Sequence, residues 1–563
     1  MPQRSQFGMP GKMMTALFVF LSMGTLISHA QNRNEEVTII APYDPTITDA
    51  FKINMNPRTQ GQIIEMPVLE YSITPVRLNT RITPDRPESR LKPYEPGKDL
   101  KSNHVRAGFG NYTTPYFEFF ANSLQSQEFN LGVNLKHRSS SGKIKDFANS
   151  AYSHNLAHAY GEKYFDNHTL GGEIRYKRDV YHYYGYKPDA FPDIDLSKND
   201  IQHRYQYIGG KLNLQSTHTG EDAFNHAIGL NYYYLSDNYN TREQNLHFNA
   251  GIDKRFEWFD VTEYQNFGLD LEIDYYFNED SLHSYNAGII RLKPMLSTDF
   301  YQYRFFVGAD LAYSGDSTSE LHIHPLARIE IHMIRDVLTA YAGIRGEIRR
   351  SSLLLLSREN PFIQPTVTAD YTNNKFAFSA GLLGNIEDVV DYTIEASNTK
   401  IDHMPFFVND TANGLLNTFG VLYDNVNRFS ITGNVNVNSG NVFRLNIKAG
   451  YDNYSMDNEE KAWHKPNFSA GIGAWYTLAE TFTMGMEIIT EGPVYAKLYN
   501  EQQEVIAEQI DARADLNLSF EYRISEDFSA FLNFNNILNN DYLKWYNYPV
   551  QKFNFLGGIG FSF

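Results

Sequence analysis

The sequence predicts an all-β protein, a transmembrane antiparallel up-and-down β-barrel of about 22 strands behind an N-terminal Pro-rich periplasmic arm. Three observations carry this expectation. Apolar and polar residues alternate with period two over segments longer than soluble strands usually are, the first 30 residues read as a secretory leader, and the last strand ends the chain on Phe563.

Taken in order, Arg4 and Lys12 supply the positive start of the leader, Met13 to Ile27 its apolar stretch, and Ser28-His29-Ala30 a small-x-small cleavage site. The expected division is therefore 1–30 signal peptide, 31–102 extended periplasmic segment and 103–563 outer-membrane barrel. The segment 31–102 holds nine of the 22 prolines (Pro42, Pro45, Pro57, Pro67, Pro75, Pro84, Pro87, Pro93, Pro96), which no compact sheet accommodates.

From Asp511 to Ile524 every even position is apolar and every odd one polar. Phe267 to Phe277 and Phe443 to Tyr451 repeat the pattern. About 9 to 11 tilted residues cross a bilayer, so these lengths suit a membrane, where only a closed sheet satisfies every backbone group. Tight turns are expected at Ser297-Thr298-Asp299, Arg335-Asp336, Asn438 to Asn441 and Ser525 to Asp527. Long polar loops are expected near 139–149, 185–202, 350–374, 402–426, 454–465 and 498–508, on one rim if the strand count is even. Thr418 to Asp424 reads either as a further strand or as a hairpin rising above the membrane. Aromatic runs such as Tyr181-His182-Tyr183-Tyr184 and Trp545-Tyr546 suit headgroup level.

Composition narrows the function. Lys plus Arg total 49 against 66 for Asp plus Glu, a net charge of −17, which argues against nucleic acid as a partner. The absence of cysteine removes disulfides, thiolate nucleophiles and cysteine-ligated zinc. No nucleophile elbow, phosphate loop or zincin helix is present, so neither an enzyme nor a cofactor is expected. His322 and His324 share a strand face without a third metal ligand identifiable by spacing.

The run Asn533-Phe534-Asn535-Asn536-Ile537-Leu538-Asn539-Asn540-Asp541-Tyr542, followed by Trp545 and Tyr548-Pro549, resembles the closing hairpin of TonB-dependent outer-membrane receptors. Glu35-Glu36-Val37-Thr38-Ile39-Ile40-Ala41 resembles their TonB box, the segment that adds as a strand to the energy-coupling protein. The resemblance covers the barrel alone, since 72 residues are too few for the family's plug. It implies a receptor-like or transport barrel for a small nutrient. The alternative is a non-transporting binding or assembly barrel whose arm recruits a periplasmic partner. Two further features invite attention: the inward carboxylates Asp270, Glu272 and Asp274, and the apolar loop start Leu353-Leu354-Leu355-Leu356, read as a lid or as a surface for a partner. Arg345, Glu347 and Arg349 are expected to form an inward row like the carboxylates.

Overall fold

A computed structural model describes residues 101–563 except 124–125, 143, 219–223, 258–264, 317 and 413. The leader, most of the Pro-rich arm and Glu35 to Ala41 lie outside the described residues.

Twenty-two antiparallel strands close on themselves. The first, Asn103–Gly110, pairs on one side with Thr114–Asn122 and on the other with the last, Asn554–Ser562. Closure leaves no sheet edge at this junction, and Asn103 and Phe563 exchange both backbone bonds, at 3.1 and 3.0 Å. The dyad pattern has the effect expected of it: Ile174, Leu212, Val307 and Ile559 stand exposed on the outside, while the intervening polar residues face inward.

Since both ends of the sheet meet at one rim, the connections divide cleanly. The turns on that rim include 335–337, 387–389, 440–442 and 479–481, whereas 183–201, 351–370, 492–512 and 536–553 all lie on the other. One expected turn is displaced. Ser297, Thr298 and Asp299 remain in Ser284–Phe300, whose ladder runs on to Phe300↔Tyr303, held by the Asp299–Arg304 ion pair at 2.5 Å. The reversal falls instead at Tyr301-Gln302, with Tyr301 at φ 53°.

Thr418 to Asp424 belongs to a tall hairpin. Val390–Asn409 and Phe419–Ser439 run 20 and 21 residues and stay paired up to Asn409↔Phe419. The loop expected near 498–508 carries a second hairpin, Val494–Tyr499 with Val505–Ile510.

The expected row Arg345, Glu347 and Arg349 holds to one face of its strand, with all three side chains exposed. The register of Leu338–Arg350 against Tyr371–Ile386 shifts between Arg345 and Glu347, where the single residue Gly346 stands opposite two residues of the partner strand, Lys375 and Phe376. Ile348 and Arg350, on the other face of the strand, are buried. Gly346 is tightly enclosed here, since a Cβ would sit 2.5 Å from the Lys375 carbonyl oxygen. The ends of these two strands then bend into the lumen, with Ile348 packed on Ile289 and Ala312 and the Tyr371 hydroxyl bonded to Gly288 and Gly315.

Candidate functional site: a capped mouth above a polar lumen

The inward bend delivers residues 351–370 to the mouth of the barrel. Its first element is a short helix, Leu353–Glu359, capped by the Ser352 hydroxyl accepting from the Leu355 N–H at 3.3 Å. A carboxylate from the facing wall completes the cap. Glu243, wholly buried, accepts from the N–H groups of Leu353 and Leu354 at 2.8 and 3.0 Å, from the Tyr233 hydroxyl at 2.9 Å and from the Asn278 amide at 2.9 Å. Helical spacing turns Leu353 and Leu356 into the core and leaves Leu355 exposed.

After the helix the chain crosses the mouth as Pro361-Phe362-Ile363. The Tyr205 hydroxyl donates to the Pro361 carbonyl at 3.3 Å, Tyr183 to Ile363 at 2.8 Å and Thr241 to Pro365 at 2.9 Å. On the opposite side Phe362 and Phe419 exchange backbone contacts, Phe419 N–H to Phe362 at 3.0 Å, and Gln364 N–H returns to Phe419 at 2.8 Å. Tyr548, from the loop 536–553, stacks on Phe362 with centroids 3.8 Å apart and donates to the Asn417 carbonyl at 2.5 Å. Asn417 in turn donates to Tyr183 at 2.8 Å. Gly185 is required beneath this ring, because a Cβ there would come within 2.5 Å of it. One apolar cluster thus joins loops from several sectors of the barrel, including Ala148, Tyr183, Leu235, Leu356, Ile363, Phe407, Phe419, Trp545 and Tyr548.

Tyr183, Tyr184 and Trp545 therefore serve the cap core, in place of the headgroup belt that their clustering suggests. Tyr183 also bonds His203 Nδ1 at 2.5 Å, and His203 Nε2 meets Asp237 at 3.0 Å. This row is fully enclosed and braces the loop.

A second buried cluster abuts the first around Trp463, whose indole donates to Glu459 at 2.7 Å. Beside it His464 Nδ1 bonds the Phe407 carbonyl at 3.0 Å, while its Nε2 is buried without a partner. Burial pushes this imidazole from its ordinary 6.5 down to about 4. A folded pKa below the unfolded one means the undocked segment binds the extra proton. Docking is thus intact above pH 6.5 and weakens as pH falls toward 4. Hydrogen–deuterium exchange over 457–467, corrected for intrinsic rates, should quicken in that window, and His464→Gln should abolish the pH dependence.

Below the cap the lumen is polar and cross-linked. Glu272 pairs with Arg291 at 2.5 Å and Lys293 at 3.0 Å, and Asp274 meets His247 at 2.9 Å. Asp270 faces Lys293 across the ladder. The three carboxylates share one face and are interleaved with Arg291, Lys293 and His247, which suits a rigid wall better than an open cation path. His322 and His324 stack with centroids 6.1 Å apart, and Ser314 and Asn373 occupy His322 Nε2 and His324 Nε2 at 2.9 and 2.8 Å. Among the described residues no group of three or more His, Cys, Asp or Glu side chains is placed to hold a metal.

A closed 22-strand antiparallel sheet with its long loops gathered over one mouth has the architecture of an up-and-down transmembrane barrel. The solved structures it matches share that architecture. The pyoverdine outer-membrane receptor FpvA of Pseudomonas aeruginosa PAO1, bound to pyoverdine, aligns with a TM-score of 0.63 at 10% identity, over 83% of this chain and 79% of that one. The ferric-catecholate import receptor Fiu of E. coli K12 aligns at 0.58 and 9%, over 83% and 82%. The siderophore receptor PirA of Acinetobacter baumannii aligns at 0.60 and 9%, over 83% and 81%. No family model matches the chain, and no curated protein matches it in sequence. The chain accordingly has a TonB-dependent-receptor-like β-barrel fold, in agreement with the resemblance of its closing hairpin.

Proposed function

We propose that the protein is an outer-membrane receptor for uptake of a small nutrient, a barrel with a polar lumen whose outer mouth is closed by residues 351–370 and opens in a regulated way. The observation that supports this reading is the continuous apolar cap across the mouth, built on a barrel of receptor type. A barrel of this strand count encloses space that must be filled or guarded, and a lid anchored by one buried carboxylate is a device for guarding it.

On this reading residues 31–102 form the periplasmic arm, and Glu35, Glu36, Val37, Thr38, Ile39, Ile40 and Ala41 recruit a TonB-type energy-coupling protein by strand addition. The barrel sits in outer-membrane lipid. Deleting residues 35 to 41 should abolish energy-dependent uptake while heat-modifiable gel mobility, the mark of an intact barrel, stays unchanged. Uptake at the full rate after that deletion would overturn the coupling. A pull-down with residues 31–102 should recover the energy-coupling protein, and recovery of some other stable partner alone would favour a non-transporting assembly role.

A further inference from the structure

The outer loop 492–512 holds a strand edge that the barrel does not use. Its hairpin, Val494–Tyr499 with Val505–Ile510, is closed by the Asn500 N–H donating to the Glu504 carbonyl at 3.0 Å. Bonded and non-bonded pairs alternate along an antiparallel ladder. Counted from that turn, Leu498↔Ile506, Ala496↔Glu508 and Val494↔Ile510 exchange main-chain bonds, while Tyr499↔Val505, Lys497↔Ala507 and Tyr495↔Gln509 turn theirs outward. The first strand bears this out, since the Tyr495 carbonyl accepts from the His464 N–H at 2.9 Å. That side is covered by the Trp463 cluster, with Lys497 drawn to Glu459 at 2.7 Å. The second strand has no such cover. Val505, Ala507 and Gln509 send their N–H and C=O groups away from the hairpin, and these main-chain groups have no hydrogen-bond partner among the described residues.

An open edge is a template for another strand, and proteins usually blunt it. Here the blunting is by charge alone. No proline interrupts Val505–Ile510, and Val505 and Ile506 are 43% and 41% exposed. Glu501, Glu504, Glu508 and Asp511 flank the edge, against a single cation in the hairpin, Lys497, which Glu459 already engages. Glu508 is exposed on the edge strand itself and has no cation within ion-pair distance among the described residues. Like charges laid side by side across a ladder are destabilising and opposite charges favourable, so this edge turns away acidic strands and admits a basic one.

We infer that this edge is a docking site for an extended, lysine- or arginine-rich segment of a polypeptide outside the cell. The segment adds as a third strand against Val505, Ala507 and Gln509 and lays its cations beside Glu504 and Glu508. The site is independent of the uptake and coupling proposed above. The test uses the full chain in phosphatidylcholine nanodiscs at physiological ionic strength, with the probe acetyl-Lys-Val-Lys-Thr-Lys-Val-Lys-amide carrying isotope-labelled carbonyls. Saturable binding is expected, with the labelled infrared amide band moving to the position of a paired strand. The same peptide with Glu in place of every Lys should not bind. Ala507→Pro removes an outward N–H that the hairpin ladder does not use, and should weaken the probe roughly fivefold or more, the loss of one hydrogen bond. Glu508→Gln should weaken it roughly threefold and flatten its salt dependence. Heat-modifiable mobility checks the barrel of each variant, and Gln509→Pro replaces Ala507→Pro if that variant fails. Absence of saturable binding would overturn the proposal. So would a bound peptide whose labelled band stays at the coil position, or binding unchanged in the proline variant, since either marks general attraction of a cation to an acidic protein. Self-association through this edge, abolished by Ala507→Pro and without peptide binding, would assign the edge to a second copy and overturn the proposal as well.

Discussion

Replacing residues 351–370 by a short Gly-Ser turn is expected to open the outer mouth. Conductance in planar bilayers should rise on the order of tenfold or more, because a barrel this wide does not fill itself with wall side chains. The milder change Glu243→Ala should act in the same direction. It strips the N–H groups of Leu353 and Leu354 of their buried acceptor and orphans Tyr233 and Asn278 as well. At 1–3 kcal/mol for each of the four donors left dry, a total at the lower end, about 4 kcal/mol, shifts lid docking roughly a thousandfold. The chain has no cysteine, so Ile363→Cys, at a wholly buried position, reports undocking by its rate of maleimide labelling. Glu243→Gln should fall between, since an amide keeps only one acceptor oxygen.

The second large effect is expected at Tyr548→Ala. The ring is wholly buried and stacked on Phe362, and its removal leaves a cavity at the meeting point of three loops, at a cost of roughly 3–5 kcal/mol. Tyr548→Phe keeps the stack and loses only the bond to Asn417, about 1 kcal/mol. The same cysteine reporter should therefore label fast in the alanine variant and slowly in the phenylalanine variant. Equal rates would show that the hydrogen bond, and not the stacking, holds the cap.

The barrel was legible in the sequence because a period-two pattern fixes both faces of every strand, and a strand that crosses a bilayer is too long to mistake for a soluble one. Asp511 to Ile524 shows this well: its alternation survives intact in Arg513–Arg523, apolar positions outward. The bulge at Lys375-Phe376 opposite Gly346 was not legible, since a bulge is one residue with no composition signal. The lid itself showed as four consecutive leucines out of place in an outer loop. Its anchor did not, because Glu243 looks like any inward polar residue and its partners Leu353 and Leu354 lie 110 and 111 positions away. Tyr183 and Tyr184 were misleading for a related reason: aromatics at a strand end suit a lipid headgroup and a loop core equally well, and only the Tyr548 ring beside Tyr184 decides between them.

The central claim is that this barrel stands closed under its own loops. Single-channel recording of the intact protein in planar bilayers tests it most directly. A current at or near the bare-bilayer level is the result this structure predicts, rising when residues 351–370 are removed. A large, steady conductance from the intact chain would contradict it and describe a general pore.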